Sequence, residues 1–470
     1  MTRPNILVII SDTLRASHLG CYGNSRVQTP SFDKLAAESV RFARAYPESL
    51  PTIPVRRAMH TGRRAYPFRA YRPVPWDIVY LPGWQAMSPE EDTLAENLAG
   101  SGYHTGFITD TLPYFAPGFN FTRGFWQWDY VRGQQQDRWQ SPYAVPRKRY
   151  ERYGDPDKLT ENMHGFMPMF LANTSGVRDE TDTSTARVFS HAMQFLEDNQ
   201  TGQPFYLLVD CFDPHEPWEA PEKYYRLYGD PAYDEERIVH CKYGSADQFG
   251  YSEGEIAFVE AQYCGLVTLV DTWMGKLLNK LQALGLDENT WVFVISDHGT
   301  NFTRNPRRII GKPDHAMYPG VMHLPLLVRS PSGQGRGTVC NDLVANIDVP
   351  ATVYDLVGIE SRGGLDGRSL RPLVSGEGQW TTRDYVTCRY NHSLAYVDDT
   401  SWVLTDVDAR PQEAFDLELD PTCQKNIMAS AGDRLDRAWD RLLHDAGGEF
   451  PDYRTARQTD AIGQRIEARR

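Results

Sequence analysis

Three stretches of this chain are apolar without interruption: Asn5-Ile6-Leu7-Val8-Ile9-Ile10, Pro204-Phe205-Tyr206-Leu207-Leu208-Val209 and Thr290-Trp291-Val292-Phe293-Val294-Ile295. Short runs of β-branched and aromatic residues with no polar alternation predict strands buried on both faces, as in a parallel sheet. Each run ends in a polar cluster: Ser11-Asp12-Thr13, Asp213-Pro214-His215-Glu216-Pro217-Trp218 and Ser296-Asp297-His298-Gly299. Between the runs the pattern takes a helical period. Thr29-Pro30 opens a helix with Phe32, Leu35, Ala36, Ser39 and Val40 on one face, with Thr as N-cap and Pro in the first turn. Residues 92–99 and 186–197 read as helices, 102–108 as a strand entry, and 255–284 as a long helix closed by Gly285. A further strand is expected at 324–328 and a helix at 350–357. Strands alternating with helices predict an α/β fold, a large, mostly parallel sheet flanked by helices. In such sheets ligands bind beyond the carboxyl ends of the strands, where these polar clusters fall.

Two regions break the alternation. Residues 117–175 are rich in Trp, Tyr, Arg, Gln and Gly with no clean period, and read as a decorated loop or lid. After residue 376 come short strand-like pieces (385–389, 395–397, 402–405) and a charged helical tail. The expected division is a catalytic α/β domain over 1–376 and a smaller C-terminal α+β subdomain over 377–470.

Composition narrows the class. With 470 residues, 41% of them hydrophobic and 12% aromatic, the chain suits one large globular domain plus a smaller one. A net charge of −13 argues against a nucleic-acid surface, although a few cations and a metal can reverse the sign inside one pocket. Seven scattered cysteines with no C-x-x-C pair suit a reducing compartment. No stretch is long and apolar enough to span a membrane, and the apolar run after Met1-Thr2-Arg3-Pro4 is too brief for a signal peptide. The expectation is a cytoplasmic protein with no membrane or nucleic-acid partner; a homo-oligomer is left open.

The stretch Thr52-Ile53-Pro54-Val55-Arg56-Arg57-Ala58-Met59-His60-Thr61-Gly62-Arg63 joins a hydroxyl, a proline and an arginine at fixed offsets. The proline can present Thr52 at the mouth of a helix, with Arg56 one turn on to hold an anion. Asp12, Asp297 and His298 offer two carboxylates and an imidazole, a donor set for one divalent cation such as Ca, Mn, Mg or Zn. His215 could protonate a leaving oxygen, and Lys312 could clamp a non-bridging oxygen. Taken singly, each has a plainer reading as a cap, a packed histidine or a solvated lysine.

Together these residues resemble the sulfatase family of the alkaline phosphatase superfamily, nearly end to end. Residues 5–12 with Leu19-Gly20-Cys21-Tyr22-Gly23 resemble its first strand and metal loop, and 29–36 its T-P-N-x-D-x-L-A helix. Residues 52–63 resemble its nucleophile signature C-x-P-x-R-x-x-x-x-T-G, and Pro214–Pro217 its P-H-x-P. Ser296–Gly299 with Gly311-Lys312 resemble its second metal and anion-binding segment; Asn346–Asp348, Asp366–Leu370 and Phe415–Pro421 resemble later landmarks. The resemblance implies that Asp12, Asp297 and His298 bind one divalent metal, with Thr52 as nucleophile and also a ligand. It implies that Arg56, Lys312 and His215 bind the anion and supply acid catalysis on a small anionic ester.

Three departures shape the expected chemistry. Sulfatases of this family need Cys or Ser at position 52, matured to an aldehyde whose hydrate has a second hydroxyl to expel sulfate. Threonine has one hydroxyl, whereas a phosphorylated threonine can be hydrolysed by water. Asp12-Thr13 stands where many members have two adjacent acids, and the G-K-x-H segment is replaced by Ile108-Thr109-Asp110-Thr111-Leu112-Pro113-Tyr114. The expected activity is hydrolysis of a phosphate ester, a phosphodiester or phosphonate monoester. A sulfatase using unmodified Thr, a phosphotransferase and an idle anion-binding relative stand as alternatives.

Overall fold

The strand Asn5–Ser11 lies at the centre of a nine-stranded sheet, paired in parallel with Phe205–Cys211 on one side and Thr290–Ser296 on the other. The computed structural model describes residues 3–69, 81–135, 137–153, 166–202 and 204–454. Beyond Phe205–Cys211 the sheet continues in parallel through His104–Thr109 to an edge strand, Gln127–Tyr130. Beyond Thr290–Ser296 it continues through Leu324–Arg329, antiparallel to both its neighbours, to Val40–Tyr46. All seven residues of each of the three central strands are buried, as their unbroken apolar composition predicts.

Alternate residues of those strands enter different cores. Ile6, Val8 and Ile10 pack with Ile53, Val55 and Met59 of the helix Thr52–Thr61 and with Val349 and Val353 of Asp348–Val357. Leu7 and Ile9 pack with Phe189 and Phe195 of Ser184–Asp198 and with Leu266 and Leu269 of the long helix Glu253–Ala283. Each such side chain contributes about 1.5–3 kcal/mol of burial, so the two layers hold the strand ends rigidly.

The register places the chemistry. Ser11 lies opposite both Cys211 and Ser296, so the next residues, Asp12 and Asp297, emerge side by side at the carboxyl edge. The Asp12 N–H donates to Cys211 O at 2.9 Å, tying this exit to the neighbouring strand Phe205–Cys211.

Two local expectations are corrected. The helix over Pro30–Ala37 stops before Ser39 and Val40; Val40–Tyr46 is a strand whose V-R-F-A-R-A-Y pattern has a period near two. Thr29 does not cap the helix with its side chain, which instead accepts from Gly20 N–H at 2.8 Å. The helix amides of Ser31 and Phe32 donate to Asp271 at 3.2 and 2.8 Å, a cap supplied from the long helix.

Within 117–175 the structure forms the edge strand Gln127–Tyr130, short helical turns and the helix Phe166–Asn173; residues 154–165 lie outside the described residues. At the C-terminal end, Tyr385–Tyr390, Ser393–Asp398, Ser401–Asp406 and Glu413–Asp416 form an antiparallel sheet covered by the helix Asp433–Asp445. The last of the charged tail, 455–470, also lies outside the described residues. The fifth strand of this smaller sheet is Ser49–Leu50, parallel to Arg389–Tyr390. The C-terminal sheet thus grips the chain two residues before Thr52. No helix among the described residues is long and apolar enough to cross a membrane.

Candidate active site

Asp12, Asp297 and His298 present ligand atoms that all lie within 4.8 Å of one another, and all three are fully buried. Burial and the neighbouring charge of Asp297 push the Asp12 carboxyl well above its ordinary value. Burial alone would raise Asp297 too, but His298 and Arg56 hold it down to about 2. Burial lowers His298 to about 4, so its imidazole is neutral. His298 Nδ1 donates to Gly299 O at 3.0 Å, while Nε2 has no hydrogen-bond partner and lies 3.4 Å from Asp297 Oδ2. A neutral imidazole anchored through one nitrogen, its other lone pair turned to carboxylates, is the arrangement of a metal-ligating histidine. The residues fit a divalent cation, and the repulsion between the carboxylates gives it something to neutralise.

Thr52 begins the helix Thr52–Thr61 and adopts φ +28°, a left-handed conformation unfavourable for a β-branched residue. Such strain costs on the order of 1–3 kcal/mol and persists only where surroundings over-determine it. Here Leu50 is locked to the C-terminal sheet, and Arg56 Nη1 lies 3.5 Å from Thr52 O. Thr52 is 4% exposed, so the residue is held at the site with little room for water.

Arg56 does hold an anion, but it is the protein's own. Its Nε and Nη2 donate to the two oxygens of Asp210, each at 2.8 Å, and its Nη1 donates to Asp297. Asp12 Oδ2 lies 2.9 Å from Nη2 as an ion pair out of line for a hydrogen bond. Desolvation opposes this buried cation, yet three carboxylates raise its pKa well above the ordinary value. Lys312 is also engaged, donating to both oxygens of Glu216 at 2.7 and 2.8 Å and to Thr13 Oγ1 at 3.3 Å. Burial would raise Glu216, but His215 and Lys312 keep it ionised, well below its usual value. His215 lies stacked on Phe212 and is lowered to about 3, by burial first. Its Nδ1 donates to Glu216 O at 2.5 Å, which makes Nε2 the acceptor of a neutral ring.

Of the seven residues singled out in the sequence, Asp12, Asp297 and His298 form a cluster, Arg56 binds two of them, Lys312 lies beside Thr13 with His215 next to its partner Glu216, and Thr52 joins them through its carbonyl oxygen, 3.5 Å from Arg56 Nη1. Other residues complete the site and were not picked out. Thr13, at φ +61°, occupies the place of the missing second acid; its N–H donates to Asp297 at 3.0 Å and its hydroxyl to Asp12 at 2.7 Å. The segment replacing G-K-x-H supports Asp210, with Tyr114 OH donating at 2.5 Å and Thr111 Oγ1 at 3.3 Å. Asp210 is thus committed to Arg56. Its only sequence signal is a carboxylate inside an apolar strand, which burial requires to be paired. The C-terminal sheet reaches in as well: Tyr390 OH donates to Lys312 O at 3.1 Å, and Asn391 Nδ2 to Asp314 at 2.7 Å.

Comparison with known proteins agrees with this architecture. The family model for sulfatases matches residues 4–359, and one for the C-terminal part of N-sulphoglucosamine sulphohydrolase matches residues 313–439. The chain is 25% identical to an uncharacterized sulfatase, YidJ, of Escherichia coli, over 91% of this chain and 84% of that one. It is 26% identical to the multifunctional alkaline phosphatase superfamily protein PehA of Trinickia caryophylli, over 92% of each. The phosphonate monoester hydrolase of Agrobacterium radiobacter has the same fold, with a TM-score of 0.72, 20% identity, and 95% and 96% of the two chains covered. With the strand-edge carboxylates, the T-x-P-x-R helix and a family match over three quarters of its length, this chain belongs to the sulfatase family of the alkaline phosphatase superfamily, hydrolases acting on ester bonds.

Proposed function

We propose that the protein hydrolyses a phosphate ester, a phosphodiester or phosphonate monoester, with Thr52 as nucleophile. The observation that carries this reading is the single hydroxyl at position 52, on a backbone held in a strained conformation at the start of a helix. Asp12, Asp297 and His298 would hold the divalent cation, which when bound supplies a Lewis acid and lowers the pKa of a nearby hydroxyl. Thr52 Oγ1 attacks phosphorus, and the bond to the leaving oxygen breaks. The proton lost by Thr52 passes to solvent, and His215, whose Nε2 is the accepting nitrogen, takes up a proton there and gives it to the leaving oxygen. Lys312, held by Glu216 beside Thr13, lends its positive charge to the non-bridging oxygens from that position. Arg56 offsets part of the carboxylates' charge and keeps Thr52 in place. Water then attacks phosphorus, the P–O bond to Thr52 breaks, one proton of the water restores the Thr52 hydroxyl, and a phosphate monoester (from a phosphodiester) or a phosphonate (from its monoester) is released.

A sulfate ester is the second reading, favoured by the family match and the sulfatase among the relatives. A panel of aryl sulfate, phosphate monoester, phosphodiester and phosphonate monoester, each with and without added divalent cation, separates the two. Metal-dependent turnover of the phosphorus esters is expected. Turnover of aryl sulfate alone overturns the reading, and Thr52→Ala should lower kcat at least about a thousandfold, about 4 kcal/mol.

A further inference from the structure

Beside the site lies a cavity of about 520 Å³, large enough for a small organic molecule. The P-H-E-P turn separates them: Asp213 and Pro217 line the cavity, while Glu216 between them holds Lys312 in the active site. The walls come from described residues between Arg132 and Arg187, from Pro217–Glu222 and Arg237, and from Leu266 and Leu269 of the long helix.

Six arginines line it: Arg132, Arg149, Arg152, Arg178, Arg187 and Arg237. Asp137 neutralises Arg132 through hydrogen bonds of 2.7 and 2.6 Å. Among the described residues the other five have no carboxylate partner. Arg149 donates to Thr174 Oγ1 at 2.8 Å, and Arg187 donates to Arg132 O at 3.1 Å while its guanidinium lies over Trp139. Arg237 has its Nε buried without a partner.

Five carboxylates line the cavity as well, and each is hydrogen-bonded to a donor other than these guanidiniums. Asp182 accepts from Arg178 N–H at 3.0 Å and Asp179 from Thr181 N–H at 2.8 Å. Glu219 accepts from Tyr153 OH, Glu222 from Arg226 at 2.9 Å, and Asp213 from Thr185 and Gln134. The helix Ser184–Asp198, fifteen residues long, also starts at the cavity wall, adding its positive end. Guanidiniums around a cavity whose donors no carboxylate accepts can take an anion, with planar, bidentate geometry.

We propose that this cavity is an anion-binding subsite for the organic part of the substrate, so that the favoured ester carries a second anionic group, carboxylate, phosphoryl or sulfo, besides the one attacked. The substrate role rests on the ester-hydrolase reading of the adjoining site; binding does not. Calorimetric titration with isophthalate, phenylphosphonate and benzenesulfonate, none of which has an ester to cleave, tests binding and tells the three anions apart. At least one should bind the wild-type protein and bind at least tenfold more weakly to the Arg149→Gln/Arg187→Gln variant, with Arg149→Lys/Arg187→Lys, which keeps the charge but not the fork, falling between the two. Absence of binding to the wild type, or equal binding to the Gln variant, overturns the proposal. In kinetics, an aryl ester bearing the preferred anion on its leaving ring should have at least tenfold higher kcat/KM than the plain ester. The Gln variant should lose that preference while turning over the plain ester within twofold of wild type; no preference in the wild type overturns the substrate role. Variant-sensitive binding without turnover of either ester would support the subsite and fail the hydrolysis reading alone.

Discussion

The centre around Arg56 and the cavity behind the P-H-E-P turn are both crowded with ionisable groups, yet they are built in opposite ways. At the centre every charged group has an oppositely charged partner within the protein: Arg56 faces Asp12, Asp210 and Asp297, and Lys312 faces Glu216, all deeply buried. In the cavity the arginines are more exposed, and their neighbours' carboxylates face other donors. A buried charge must be paired to exist at all, so the centre is a fixed framework. A half-exposed guanidinium keeps its water until a ligand replaces it, so the cavity can remain unpaired and available.

The largest expected effect tests the framework. Arg56→Met leaves three buried carboxylates facing one another and should cost about 5 kcal/mol, the upper part of the range for a broken buried pair. Urea unfolding measures it, and a loss below about 1 kcal/mol would mean that the centre is not the charge framework described. Lys312→Met, which strands only Glu216, should cost about 3 kcal/mol, and adding Glu216→Gln should recover most of it. A double variant as unstable as the sum of the singles breaks that pairing.

A smaller effect lies between the two regions. Asp110, hydrogen-bonded to Phe212 N–H at 2.7 Å and to Gln134 at 3.1 Å, is raised to about 8, by burial first and then by Asp213. The folded protein therefore keeps a proton that the unfolded chain loses near pH 4, and stability falls as pH rises from about 4 to 8. Asp110→Asn should flatten that fall, so its Tm relative to wild type should be higher at pH 8 than at pH 5. Equal pH dependence of the two proteins would count against a shared proton here. The smallest effect is Arg152→Gln in the cavity, expected within about 0.5 kcal/mol of wild type in unfolding. A large loss would make that arginine structural and erase the contrast.

Much of this was legible along the chain. Unbroken apolar runs announced the three central strands, because a strand covered on both faces has no solvent side to mark. The polar clusters after those runs located the metal residues, and T-x-P-x-R located the helix start. Val40–Tyr46 was missed because its alternation is short and two of its polar positions are arginines, whose stems pack while their heads reach water. Thr13, Asp210 and Glu216 were passed over as chemistry because each matters through a partner far away in sequence.

The sequence by itself determined which apolar segments become buried strands, the identity of the donors and the single hydroxyl at position 52. These are local properties, set by side-chain chemistry and by periodicity. Only the tertiary structure decided which charge faces which. It set Asp12 beside Asp297 through strand register, gave Arg56 to Asp210, and gave Lys312 to Glu216. It also left five arginines around one cavity with no carboxylate partner among the described residues. Electrostatic pairing depends on distance and burial, and neither exists until the chain has folded.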